Sequence, residues 1–259
     1  MNIKSITSKK NPLIKELSLL NKSASLRYEK GVYIAEGARL VSDAALSGIE
    51  IEMLFFTKTA ENKYFSYINQ VLNKAKEVYI IEDFIAETLS ATKNSQGVFA
   101  LCKIKENKKG IEGKTVILEN IQDPTNMGTV LRTAEALGIN TIILSGECCD
   151  IYSPKVLRAS MGAVFRANIQ YLKTPTEVKT ALIKEKYSIY GSVPLNTAEK
   201  ITAIEFNNKS AVAIGNEGDG LSEEFKNICD SLITIPMLGR AESLNAAAAA
   251  SIIMWEMTR

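Results

Sequence analysis

The stretch "AIGNEGDGLS" (213–222) sets three glycines among polar residues behind a short apolar run. Such a loop lets the backbone approach a small ligand closely. What it lacks narrows the ligand. A P-loop needs GxxxxGK[ST], with a lysine that reaches the phosphates, and no lysine follows these glycines. A dinucleotide fingerprint needs GxGxxG at the first helix of a βαβ unit and an acid about 20 residues later. Here the spacing is GxxGxG, and Glu217 inside the loop repels a pyrophosphate. Two readings remain: a loop whose main-chain groups grip an adenine edge or an amino-acid moiety, or a plain strand-to-helix turn. The chain contains no histidine, which removes the usual base at neutral pH, Ser-His-Asp and Cys-His catalysis, and most zinc chemistry. Proton handling is left to carboxylates, lysine, arginine or the substrate.

The elements that position this loop follow an α/β pattern. The polar segment "ENKKGIEGK" (106–114) reads as a linker, giving a domain over 1–105, a linker over 106–113 and a domain over 114–259. In the first domain, strands are expected at "VYIAEG", "IEMLFFT", "EVYII" and "GVFALCKI", with helices at 12–20, 37–47, 62–75 and 83–89. In the second, strands are expected at 115–120, 140–146, 166–172, 187–192, 210–216 and 232–236. They are short, β-branched and apolar on both faces, as in a covered parallel sheet. One helix is expected from near Gly128 to the C′ glycine Gly138. Another starts at Pro154 with Ser153 as its cap, and "LSEEFKNIC" opens on a capping serine with two acids in the first turn.

Composition bounds the class. The 259 residues are 46% hydrophobic and 23% charged, ordinary for a soluble globular protein. The four cysteines (102, 148, 149, 229) form no CxxC pair, and a reducing cytoplasm is the expected setting. No signal peptide is evident, and the apolar run at 246–255 falls short of the ~18 residues of a membrane span. Residues 1–110 hold 17 Lys and Arg against 12 Asp and Glu, whereas the remainder holds 14 against 17. A basic front end fits contact with a polyanion, or simply a solvated surface.

The loop stands with two further motifs, "NIQDPTNMGTVLRTAEALG" at 120–138 and "TIPMLGRAESLNAAAAA" at 234–250. The three resemble, in order and spacing, the motifs of the SpoU (TrmH-like) branch of the SPOUT RNA methyltransferases: D-P-x-N-x-G-x-x-x-R-T-A, G-N-E-G-x-G-L and I-P-M-x-G-x-x-E-S-L-N. The resemblance implies a parallel α/β sheet whose C-terminal part is threaded into a trefoil knot, a rare exception among folds. It implies S-adenosylmethionine in the knotted loops and a homodimer that completes each site. By this resemblance Gly215, Ile235, Leu244, Met237 and Leu195 are cofactor contacts. Arg132 is the motif-one arginine, and Asn126, Glu217, Asn245 and Ser243 are further catalytic candidates, with Ser243 equally readable as a helix cap.

The first 105 residues resemble the ribosomal-protein-like RNA-binding module that precedes SpoU domains acting on large ribosomal RNA. Lys9, Lys10, Lys22, Arg27 and Arg39 are the candidate phosphate contacts. The resemblance thus implies a cytoplasmic RNA ribose 2′-O-methyltransferase acting on 23S ribosomal RNA. The alternatives are an inactive RNA-binding or assembly factor of the same fold, and a tRNA-directed enzyme. Neither a metal nor a membrane enters any of these readings.

Overall fold

The structure, a computed structural model, describes residues 3–106, 110–139 and 141–259. Residues 107–109 of the expected linker and Asn140, expected to open a strand, lie outside the described residues. The chain divides into two units, Met1–Glu106 with Asp150–Phe165, and Asn107–Cys149 with Arg166–Arg259. Residues 150–165, assigned above to the second domain, fall with the first unit.

The first unit runs β1 (Ile3–Ile6), α1 (Pro12–Lys22), α2 (Ala24–Lys30), β2 (Val32–Glu36), α3 (Ala38–Leu46), β3 (Ile51–Phe56), α4 (Lys58–Leu72), β4 (Ala75–Ile81), α5 (Asp83–Leu89) and β5 (Val98–Lys103). The sheet order is β1-β4-β3-β5-β2, with β5 antiparallel to both neighbours. Asn11 caps α1 by accepting from the Leu13 N–H, and Pro12 needs no donor at the first helical position. The helix expected over 62–75 instead spans Lys58–Leu72. Thr57 caps it through the Ala60 N–H, and by Ala75 the chain is already in β4. Ile14, Leu17 and Leu20 of α1 pack with Phe55, Ile85 and Phe99 in the core. Strand β1 and helix α2 are new relative to the sequence reading.

The second unit runs β6 (Thr115–Glu119), α6 (Pro124–Ala136) and β7 (Thr141–Ser145). The chain then passes through α7 (Pro154–Ala159), which belongs to the first unit. It continues with β8 (Asn168–Tyr171), α8 (Pro175–Lys184), β9 (Ser188–Ser192), β10 (Glu199–Lys200), β11 (Ser210–Ile214), α9 (Glu223–Lys226), β12 (Ser231–Thr234) and α10 (Ala246–Thr258). All seven strands are parallel, in the order β10-β12-β9-β11-β6-β7-β8. Every residue of β6, β7 and β11 is buried, the mark of a sheet covered on both faces. Because the strands are parallel, the segments after β6, β9, β11 and β12 all leave from one edge, where ligands of open α/β sheets bind.

Helix α6 starts at Pro124, a full turn ahead of the expected Gly128. Asp123 caps it, its Oδ1 accepting from the N–H groups of Thr125 and Asn126, each at 2.8 Å. Arg132 therefore lies in the third turn of the helix. The helix ends at Ala136, and Gly138 follows with φ +73°, as expected. Ser153 and Ser222 cap α7 and α9 as read from sequence. Among the described residues, no helix is long and apolar enough to cross a membrane.

Candidate functional site

The glycine loop is built by what β11 delivers into it. A Cβ on Gly215 would stand 2.1 Å from the Gly220 carbonyl carbon and 2.2 Å from the Leu221 nitrogen, so only glycine fits there. Across that close approach, Asn216 and Gly220 exchange backbone hydrogen bonds of 3.0 Å in both directions. The Asn216 side chain pins the rest. Its Oδ1 accepts from the N–H groups of Gly218 (2.8 Å) and Asp219 (3.3 Å), and its Nδ2 donates to the Asn120 carbonyl at 2.8 Å. Below the loop, the buried Glu119 carboxylate accepts from the Ser222 N–H (2.9 Å) and hydroxyl (2.6 Å), fixing the residue that caps α9.

A relay of side chains ties the three motifs together. Asn245 Nδ2 donates to Asn126 Oδ1 at 3.0 Å, and Asn126 Nδ2 donates to Glu217 Oε1 at 2.8 Å. Glu217 Oε1 also accepts from the Asp123 N–H at 3.4 Å. Asn245 meanwhile caps α10, its Oδ1 accepting from Ala247 and Ala248 N–H. The starts of α6 and α10 and the glycine loop are thereby locked into one geometry. Glu217 is thus held by Asn126 from the first motif.

Beside this relay lies a cavity of ≈ 330 Å³, within the range of small-ligand sites. Gly215, Ile235, Met237, Leu244 and Leu195 all line it, as do Glu217 and Ser243. The expected cofactor contacts thus come together from three loops at one strand edge. Ser243 is exposed and does not cap a helix; that reading is corrected, because Asn245 occupies the cap. Arg132 is exposed on α6 and makes no ion pair among the described residues. The cavity also takes in Lys226, whose ammonium is held by Glu223 at 2.7 Å, and the carboxylate residue Asp219.

Two of the cysteines have environments that disfavour the thiolate. Burial, with the charges of Asp230 and Glu119 adding, pushes the Cys229 thiol up to about 12, and burial raises Cys148 as well. Thiols held protonated at neutral pH are not nucleophiles.

In the first unit, Lys9, Lys10, Lys22 and Arg39 are exposed. Arg27 is not, and its expected role as a phosphate contact is corrected. It is 4% exposed. Its Nε donates to Asp150 Oδ2 at 2.7 Å, Nη2 reaches the same oxygen, and Nη1 donates to the Leu20 carbonyl. A buried pair of this kind already has its anion. Tyr152 stacks on Tyr33 next to it, with ring centroids 4.6 Å apart.

Asn216, Glu119 and Asn120 were not singled out from sequence, and Ser222 was read only as a helix cap. Asn216 and Ser222 sat inside the quoted loop, but their partners lie about a hundred residues upstream and no local pattern announces them.

Over residues 113–255 the sequence matches the model of the SpoU rRNA Methylase family, and over residues 11–100 that of the MRM3-like substrate binding domain. It is 29% identical over 256 residues to the 23S rRNA (guanosine(2553)-2'-O)-methyltransferase RlmP of Bacillus subtilis, covering 98% of this chain and 99% of the relative. It is 30% identical over 261 residues to an uncharacterized tRNA/rRNA methyltransferase of Synechocystis, covering 100% of this chain and 94% of the relative. The crystal structure of the AdoMet-bound rRNA methyltransferase from Sinorhizobium meliloti is similar at a TM-score of 0.86 and 28% identity, over 98% of this chain and 97% of that one.

Proposed function

Because the chain belongs to the SpoU rRNA methylase family, we propose that it transfers the methyl group of S-adenosylmethionine to a ribose 2′-hydroxyl of RNA, with 23S ribosomal RNA as the substrate. The observation that carries this reading is the Asn245–Asn126–Glu217 relay closing three motifs around one cavity. The RlmP relative acts on 23S rRNA, and the match to a substrate-binding model in the first unit supports a large RNA.

The residues around the cavity fit the cofactor. Leu195, Ile235, Met237 and Leu244 offer apolar walls, Gly215 and its neighbours offer main-chain donors and acceptors, and Glu217 and Asp219 suit a cationic sulfur. When bound there, S-adenosylmethionine supplies an electrophilic methyl group. The protein's part is alignment. The Arg132 guanidinium stays charged at any working pH and cannot take the hydroxyl proton. It binds and orients the phosphate beside the acceptor ribose, so the proton leaves late to substrate or water. Asn126 and Asn245, held by Glu217 and by the α10 cap, keep the loop and both helix starts in register with that sugar. Ser243, exposed at the cavity, offers a hydroxyl to the bound nucleotide. Lys9, Lys10, Lys22 and Arg39 supply phosphate contacts in the first unit.

The position of β12 between β9 and β10, with α10 returning onto α6, supports the family's threaded C-terminal trefoil knot in this chain. A homodimer through the same domain, in the cytoplasm where ribosomes are made, completes the reading. Helix α10 buries one face but exposes Ala248, Ile252 and Trp255 at helical spacing, with Trp255 61% exposed, an apolar stripe of the kind that marks a contact surface. Trp255→Asp is expected to raise the dimer dissociation constant by at least about thirtyfold, the scale of an interface anchor. Sedimentation equilibrium reads this directly, and a monomeric wild type overturns the dimer.

The function itself is tested by mapping 2′-O-methyl positions on RNA from a strain lacking the gene against its parent, together with S-adenosylmethionine titration by calorimetry. One missing ribose methyl in 23S rRNA is the expected result. A loss confined to tRNA moves the substrate, and absence of cofactor binding removes the enzyme reading.

A further inference from the structure

We propose that Asn120 is a positioning residue for the cofactor, whose left-handed backbone aims the carbonyl that holds the glycine loop in its binding geometry; this rests on the reading of the cavity as an S-adenosylmethionine site. Asn120 directly follows β6 and sits at φ +55°. That conformation costs free energy in any residue but glycine, and asparagine is among the few that adopt it. With an extended φ the same carbonyl would swing away from Asn216, whose Nδ2 it accepts from at 2.8 Å.

The segment after β7 keeps Asn120 in this state. The Asn120 N–H donates to the Ser145 carbonyl at 3.1 Å, and its Oδ1 accepts from the Glu147 N–H at 2.7 Å. Gly146, between those two partners, sits at φ +64°, and a Cβ there would stand 2.2 Å from Asn120 Oδ1. Glycine at 146 is what lets the asparagine side chain reach its donor. Left-handed backbone at a non-glycine residue persists where the surroundings over-determine it, commonly at sites of function.

What the carbonyl holds is the cavity wall. Residues 215–221 all line the cavity, whereas Asn120 stands outside its lining, so residue 120 acts on a bound ligand through the loop. Once its Nδ2 is pinned, the Asn216 amide has a fixed plane. Its Oδ1 then accepts from the N–H groups of Gly218 and Asp219, and two further main-chain groups of the wall take their places. Glu119, one residue earlier, grips the far end of the loop through the Ser222 N–H and hydroxyl. Consecutive residues at the end of one buried strand therefore hold the glycine loop at both ends, one by a carboxylate and one by a carbonyl.

The test uses the full-length protein, with S-adenosylmethionine titrated by calorimetry and unmodified 23S rRNA transcript as the acceptor in steady-state assays. Wild type is measured first; if it binds no S-adenosylmethionine, the functional reading fails and this inference with it. Given a binding wild type, Asn120→Ala is expected to raise the S-adenosylmethionine dissociation constant and KM about tenfold, with kcat at saturating cofactor within about twofold of wild type. Asn120→Gly loses the same side chain but adopts the left-handed region freely, and keeps both constants within about threefold. In an Asn216→Ala background the carbonyl has no donor left to hold, and Asn120→Ala adds less than about twofold. Equal losses in Asn120→Ala and Asn120→Gly, or losses that multiply with Asn216→Ala, overturn the assignment and leave the methyltransferase reading standing. So does a lowered melting midpoint with unchanged cofactor affinity in Asn120→Ala, or a fall in kcat at unchanged KM.

Discussion

Arg132→Ala is expected to abolish methyl transfer, by a factor of about 10³ or more, while S-adenosylmethionine binds the variant within about twofold of wild type. The two halves of this result come from where the residue sits. Arg132 is exposed on the third turn of α6, whereas the cavity is lined by segments that follow β9, β11 and β12. Its removal leaves the Asn245–Asn126–Glu217 relay intact, because neither hydrogen bond of that relay involves it. An interaction made only with the reacting RNA lowers kcat without lowering cofactor affinity. Arg132→Lys, which keeps the charge but loses the bidentate fork, recovers only part of the rate. Single-turnover assays beside calorimetry check both numbers. Loss of cofactor binding in Arg132→Ala would mean that the arginine supports the pocket instead of the substrate.

Gly215→Ala is the complementary case. The added methyl meets main-chain atoms of Gly220 and Leu221 at 2.1–2.2 Å, and no side-chain rotation relieves a clash with backbone. The paired hydrogen bonds between Asn216 and Gly220 must break, and with them the wall that carries Glu217 into the relay. Cofactor affinity is expected to fall by at least about a hundredfold, and stability by about 1–3 kcal/mol, the usual cost of overpacking. Calorimetric titration and a melting curve measure the two effects. Wild-type affinity in Gly215→Ala would show that the loop does not hold the ligand.

The candidate constellation was legible through its resemblance to the SpoU motifs, whose residue types are unusual together. An Asp-Pro pair opening a helix, glycines beside a glutamate, and an asparagine ahead of an alanine run each survive as local text. The helix start was misplaced although Asp123 and Pro124 announced it; Gly128, an interior residue of α6, was taken for a boundary. Arg27 was misread for a deeper reason. A basic residue in a basic stretch looks solvated until the chain brings Asp150 to it from 123 positions away. The same distance hid Glu119 beneath Ser222 and Asn120 beside Asn216. Pairings of this range are set by topology, and nothing in the neighbouring residues encodes them.

The excursion of 150–165 into the first unit bears on how this protein can be taken apart. A gene trimmed to begin at the linker would still encode Ile151, Tyr152, Val164 and Phe165, all buried in the intact chain, but not Tyr33, on which Tyr152 and Phe165 stack, nor the arginine that neutralises Asp150. Such a fragment would carry a sticky, half-charged ribbon in mid-sequence. The modules look separable on paper, yet neither can be inherited, swapped or expressed by a single cut.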